Sequence, residues 1–281
     1  MRKTFVLMFM LFCFNASVIA QDDQLLKDLA WHRYVTSNFT ILSIDDDHGL
    51  WMKNNLEDIK VWCLTRWGLP DVKFSKECRI FCVPDSAMLN KLFNLNDSKV
   101  EIRRKDGSIE ITAMWLALDD KPAKILPINL SQIIFAEFEQ VNNFKFPIWS
   151  IKGMCQLNGL TSDIKVDFSS LSSSKLFDLE SILNLQEDQF LKLSLDRQKV
   201  FSSQSAALCL LLRKEFGEVR LHSFLKTSHH SGSKVATEKV LGFKTMDDFQ
   251  KTYVRYVNGL SKDLQERVTP DSYLTIKKAE R

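Results

Sequence analysis

The sequence predicts an α+β fold, with a mixed strand-and-helix first half and a mostly helical second half. Three observations predict it. Short β-patterned runs crowd the first half, and two of them flank Asp106-Gly107, a pair that favours a tight hairpin. From Leu130 onward, apolar residues recur at helical spacing. No repeat or low-complexity linker divides the chain, and 281 residues at 45% hydrophobic composition can bury one sizeable core.

In order along the chain, residues 1–20 read as a secretory signal peptide. Arg2 and Lys3 form a positive start, Phe5 to Phe14 are almost wholly apolar, and Val18-Ile19-Ala20 offers small residues for cleavage before Gln21. The run is too short to span a membrane comfortably, and Cys13 behind bulky Phe12 makes a poor lipoprotein site. Residues 21–281 are expected to form a single domain: a mixed part to about residue 127, a helical part to about 260, and a polar tail over 261–281. Asn38 to Ile44 alternates as a strand. Asp45-Asp46-Asp47 supplies a cap and negative charge for a helix ending near Gly68. Cys78 to Val83 is a strand stopped by Pro84, and a short helix with Met88, Leu89, Leu92 and Phe93 follows. Val100 to Arg104 and Ile109 to Leu116 form the hairpin strands. Helices are expected over Ser131 to Asn143, Ile148 to Leu157, Ser203 to Phe216 and Met246 to Val257. Ser169 to Ser174 and Thr227 to Lys234 read as loops.

Charge and cysteine content narrow the function classes. Removing residues 1–20 takes away two cations and no acids, so the +3 of the full chain becomes +1. That balance, without a basic tract, gives no case for nucleic acid. Beyond the leader, no apolar run is long enough to cross a bilayer, so no integral membrane segment is expected after cleavage. Cys63, Cys78, Cys82, Cys155 and Cys209 are an odd set, which leaves at least one thiol unpaired within the chain. Cys78 and Cys82 on one strand lie about 13 Å apart, too far for a mutual bridge. Small buried hydrophobes are the simplest role for most of them.

The stretch expected to carry chemistry runs Ala136-Glu137-Phe138-Glu139-Gln140, then Pro147, Trp149, Lys152 and Gly153. In a zinc peptidase helix, two histidines four residues apart bind the metal. The glutamate beside the first polarises the attacking water, and a carboxylate from the next helix completes the site. The stretch resembles thermolysin-like gluzincin metallopeptidases, the bacterial peptidase MA-like families, whose pattern is H-E-x-x-H followed by P-x-W-x-x-E-G. Later pieces are also similar: Ser203 to Leu208, Leu211, Phe216-Gly217 and Phe224-Leu225, then Leu241-Gly242-Phe243, Phe249 and Tyr256-Val257. The resemblance spans most of the mature chain and implies a zincin-like fold.

It also implies a degenerate site. The former metal-ligand positions hold Ala136, Gln140 and Lys152, which supply a methyl, a neutral amide and an ammonium. Glu137 stands at the vestigial general-base position, and Trp149 and Gly153 frame the cleft. Zinc is therefore expected to be lost, with no other cofactor. The chain reads as an exported pseudopeptidase, periplasmic or secreted, with a binding or structural envelope role and a peptide or protein as the expected occupant of the vestigial cleft. Glu137 and Lys152 are expected either to pair across the vacated cleft or to leave Lys152 extended to solvent.

Two other readings stand beside this one. One is an active metal-dependent peptidase that combines Glu137 with non-standard ligands such as His229 and His230. The other is a non-enzymatic domain that shares only the fold. Glu139 is expected to be a solvated helix residue, and His32, His48 and His222 lack ligand spacing. No G-x-S-x-G elbow or phosphate-binding glycine loop occurs. Asn38, Asn96 and Asn129 begin N-x-S/T sequons, which matter only in a eukaryotic host.

Overall fold

Five strands form one mixed sheet: β1 (His32–Val35), β2 (Phe39–Ser43), β3 (Cys78–Val83), β4 (Lys99–Lys105) and β5 (Ser108–Ala117), in the order β1-β2-β3-β5-β4. This is a computed structural model, and it describes residues 31–118, 122–159, 171 and 176–262. The leader, Cys13, most of the serine-rich run and nearly all of the polar tail lie outside the described residues. The core of the sheet is parallel, with β2 beside β3 and β3 beside β5. Both edges are antiparallel, β1 against β2 and β4 against β5. The β4–β5 turn is built as the sequence predicts, with φ of 52° at Asp106 and 81° at Gly107.

Period-two alternation decides which face each strand residue covers. Phe39, Ile41, Cys78, Ile80, Cys82, Met114 and Leu116 join the main core, and Phe81, Val83, Ala113, Trp115 and Ala117 face the other side. The main face is covered by α1 (Asp46–Thr65) and α3 (Pro122–Asn142), and the second face by α2 (Ser86–Phe93). Asp45 caps α1 by accepting the His48 N–H at 2.9 Å, and Asp85 caps α2 by accepting the Met88 N–H at 2.7 Å.

The helical half adds α4 (Ile148–Asn158), α5 (Leu179–Asn184), α6 (Glu187–Leu191), α7 (Leu195–Ser231), α8 (Ser233–Ala236), a π-helical turn at Thr237–Leu241, and α9 (Met246–Lys262). The mixed α+β architecture is therefore as predicted. Several details differ from the expectation. The edge strand β1 and the short helices α5 and α6 are additions, because four to six residues carry too little periodicity to predict an element. The helix expected over Ser203 to Phe216 does end at Gly217, and α7 is two helical segments that meet there. That glycine, at φ 79°, breaks the helix direction, and helical structure resumes and runs to Ser231. The expected loop at 227–234 is mostly helix, interrupted at Gly232.

Close helix packing holds the second half together. A Cβ on Gly153 would lie 2.5 Å from the Ser205 carbonyl oxygen and 2.7 Å from Cys209 Sγ, so α4 and α7 touch backbone to backbone there. Trp149 is 1% exposed and packs against Phe224, with ring centroids 6.2 Å apart. All five described cysteines are buried and free. Asn38 and Asn129 are buried too, and Asn38 is spent on the Phe74 N–H and the Glu57 carboxylate, so of the three sequons only Asn96 is exposed. Among the described residues no helix is long and apolar enough to cross a membrane.

Candidate functional site

One cleft of about 640 Å³ lies where the edge strand β4, the outer faces of α3 and α4, the α5–α6 segment and the end of α7 meet. β4 contributes Ile102 and Arg104 to its wall, and α3 contributes Gln132, Ala136 and Glu139. Their spacing of four and three residues keeps those three on one helical face. Lys145, Phe146 and Pro147 come from the turn after α3, and Ile151 and Lys152 from α4. Leu183, Glu187, Ser228 and His229 close the far side.

Only part of the motif meets here. Ala136 and Lys152 line the cleft, whereas Glu137 and Gln140 do not. Both turn toward the loop before β3. Glu137 is fully buried, and one of its oxygens accepts from the Ser75 backbone N–H at 2.7 Å and from Ser75 Oγ at 2.8 Å. Its other oxygen has no hydrogen-bond partner. Gln140 donates to Ser75 Oγ at 3.0 Å and accepts from the Ile109 N–H. Leu130, Ile133, Ile134 and Glu137 follow the i, i+3, i+4, i+7 stripe of a core-facing helix, and this places Glu137 inward. The cleft-facing pair at a separation of four is therefore Gln132 and Ala136, one turn earlier than the motif indicates.

Of the two arrangements expected for Lys152, the ion pair with Glu137 does not form. Glu137 is held by Ser75, and Lys152 Nζ lies 4.8 Å from the centroid of the Phe190 ring. Trp149 and Gly153 are core residues that set how α4 packs, and neither lines the cleft.

Glu139, expected to be solvated, is instead the cleft's most enclosed carboxylate, with its side chain 12% exposed. Phe146 donates its N–H to one oxygen at 2.8 Å, and Arg104 Nη2 sits 3.2 Å from the other. Burial raises its pKa above the ordinary carboxylate value, and the Phe146 hydrogen bond and the Arg104 charge partly offset this. The difference comes from the helix phase. A frame that puts Ala136 and Gln140 on the cleft face leaves out Gln132 and Glu139, which share that face with Ala136 in the structure.

His229 belongs to the cleft, its ring centroid 5.2 Å from that of Phe144 and 4.8 Å from that of His230. Both histidines occupy the last turn of α7, where the carbonyl end of a helix suits cationic or donor side chains. His32 and His48 instead contact Asp46 and Asp45 at the start of α1. Among the described residues, no three His, Cys, Asp or Glu side chains are grouped so as to hold a metal ion.

No protein-family model matches the chain, and no curated protein matches it.

Proposed function

We propose that this chain is an exported, metallopeptidase-like protein of zincin-like fold that has lost its zinc chemistry and binds an extended peptide or protein segment in the cleft. The observation that carries the reading is the edge strand β4. Its only partner among the described strands is β5, so its outer edge leaves backbone donors and acceptors unpaired beside the cleft. An extended segment can add there as a further strand, with side chains entering the cleft at alternate positions.

The residues that would have held zinc support loss of the metal. With the helix phase of α3, the positions facing Lys152 across the cleft are Gln132 and Ala136. An amide, a methyl and an ammonium do not make a zinc site. The position after Gln132 is Ile133, fully buried, so no carboxylate stands beside the first ligand position to polarise a water. The leader-like residues 1–20 support export, to the periplasm or beyond the cell.

The test is metal analysis joined to binding. The purified chain is expected to hold no stoichiometric zinc, to keep its Tm on treatment with a chelator, to cleave no peptide, and to bind peptides. Ala136→Leu, which adds bulk to the cleft wall, should weaken that binding at least about tenfold. A second reading, an active metal-dependent peptidase, has one observation behind it: His229 shares the cleft with Ala136 and Lys152. Stoichiometric zinc, with peptide cleavage and the zinc both lost in a folded His229→Ala chain, would establish that reading and sink the first.

A further inference from the structure

We infer that the peptide bound in this cleft carries a carboxylate, and that Lys152 is the side chain that receives it. The inference rests on the peptide-binding reading and adds the chemistry of the ligand.

The first support is the charge balance of the cleft wall. Arg104 and Glu139 satisfy each other at 3.2 Å. Two ammonium groups then remain, Lys145 and Lys152, and neither has a carboxylate within 4.0 Å among the described residues. One carboxylate, Glu187, remains against them. The unpaired charge therefore favours an anion.

The second support is how Lys152 is held. It is half-buried on α4, and its Nζ lies 4.8 Å from the centroid of Phe190, itself only 4% exposed. A ring face attracts an ammonium and restrains it, but it accepts none of its three N–H donors in the way an oxygen does. Lys152 is thus positioned on one side and open to an acceptor on the other. A charge-assisted bond to a carboxylate oxygen fits that need.

The experiment uses the mature chain and four peptides of about eight residues, long enough to follow β4, each labelled with an uncharged fluorophore that carries no carboxylate. All share a neutral Ala/Ser/Val sequence. One carries a central glutamate and an amidated end, one is neutral with a free C-terminal carboxylate, one is neutral and amidated, and one carries a central lysine and an amidated end. By anisotropy, at least one carboxylate peptide should bind about tenfold tighter than the neutral amidated one, and the lysine peptide should bind weakest. Which of the two binds tighter tells a side-chain carboxylate from a terminal one. Lys152→Met should bring the preferred peptide to within about twofold of the neutral one, Lys152→Arg should keep the preference, and Lys152→Glu should favour the lysine peptide. Raising the salt should shrink the wild-type preference, a readout that needs no variant to fold.

Equal binding of all four peptides by the wild type would overturn the carboxylate inference and leave the peptide cleft standing. So would a preference retained in a folded Lys152→Met chain. Failure of the wild type to bind any of the four would overturn the peptide reading itself.

Discussion

Single side chains in this protein are assigned by what they touch, and Glu137 is the clearest case. It holds the Ser75 N–H and hydroxyl from inside the core and offers nothing to the cleft. Glu137→Ala should therefore cost about 1–3 kcal/mol of stability, from two lost hydrogen bonds to Ser75 plus a small cavity. Peptide affinity should stay unchanged. Denaturant unfolding and anisotropy on the same variant separate the two effects, and a loss of affinity with stability intact would refute the assignment.

Glu139 makes a pH prediction of unusual sign. Its folded pKa is raised, so the native state binds its proton more readily than the unfolded chain does. The stability it contributes is therefore full at low pH and declines as pH rises through its folded pKa. Asp45 and Asp178 behave oppositely, with pKa values lowered chiefly by accepted backbone hydrogen bonds, so what they contribute is lost as pH falls through their folded values. As pH falls from neutral toward about 4.3, wild type should gain stability relative to Glu139→Gln. Paired thermal melts across that range check it, and a flat difference would count against the burial of Glu139.

Among the elements, α3 decides the site. Its inward stripe of Leu130, Ile133, Ile134 and Glu137 fixes the rotation of the helix, and so fixes Gln132, Ala136 and Glu139 as the cleft face. The Ser75 loop is tied down independently. Lys60 donates to the Val72 carbonyl at 2.8 Å and pairs with Asp71 at 2.9 Å, and Asn38 accepts the Phe74 N–H at 2.8 Å. With the loop anchored in this way, Glu137 meets a fixed partner. α4 is set just as firmly by its contact with α7 at Gly153. Gly153→Ala has to push a methyl against the Ser205 carbonyl, so it should lower stability by about 2–3 kcal/mol. A Tm within about a degree of wild type would mean that the two helices are not in backbone contact.

For the molecule as a whole, one core runs from Phe39 on β2 to Leu260 on α9 and takes in Cys63, Cys155 and Cys209 from helices and Cys78 and Cys82 from β3. Burial pushes the thiol pKa of Cys63, Cys78 and Cys82 up to about 12, and those of Cys155 and Cys209 higher still. The native protein should therefore expose none of these thiols to an aromatic disulfide reagent, and denatured protein should expose all of them. Fast labelling of native protein would mean that the core opens easily.

Sequence alone determined what depends on neighbours along the chain. Period-two strands, the Asp106-Gly107 turn, the aspartate cap of α1 and the mixed α+β class are local patterns, and adjacent residues are enough to specify them. Residue type alone also marks Ala136 and Lys152 as chemically unlike metal ligands, because a methyl and an ammonium are poor donors in any geometry. Only the tertiary structure decided which way α3 rotates, that Glu139 and His229 enter the cleft, and that Lys152 rests on Phe190 rather than on Glu137. The spacing of residues along a helix says which of them share a face, but not which face meets the cleft. That choice is made by what packs against the other faces, and here those partners are Ser75 from the loop before β3 for α3, and Ser205 and Cys209 of α7 for α4.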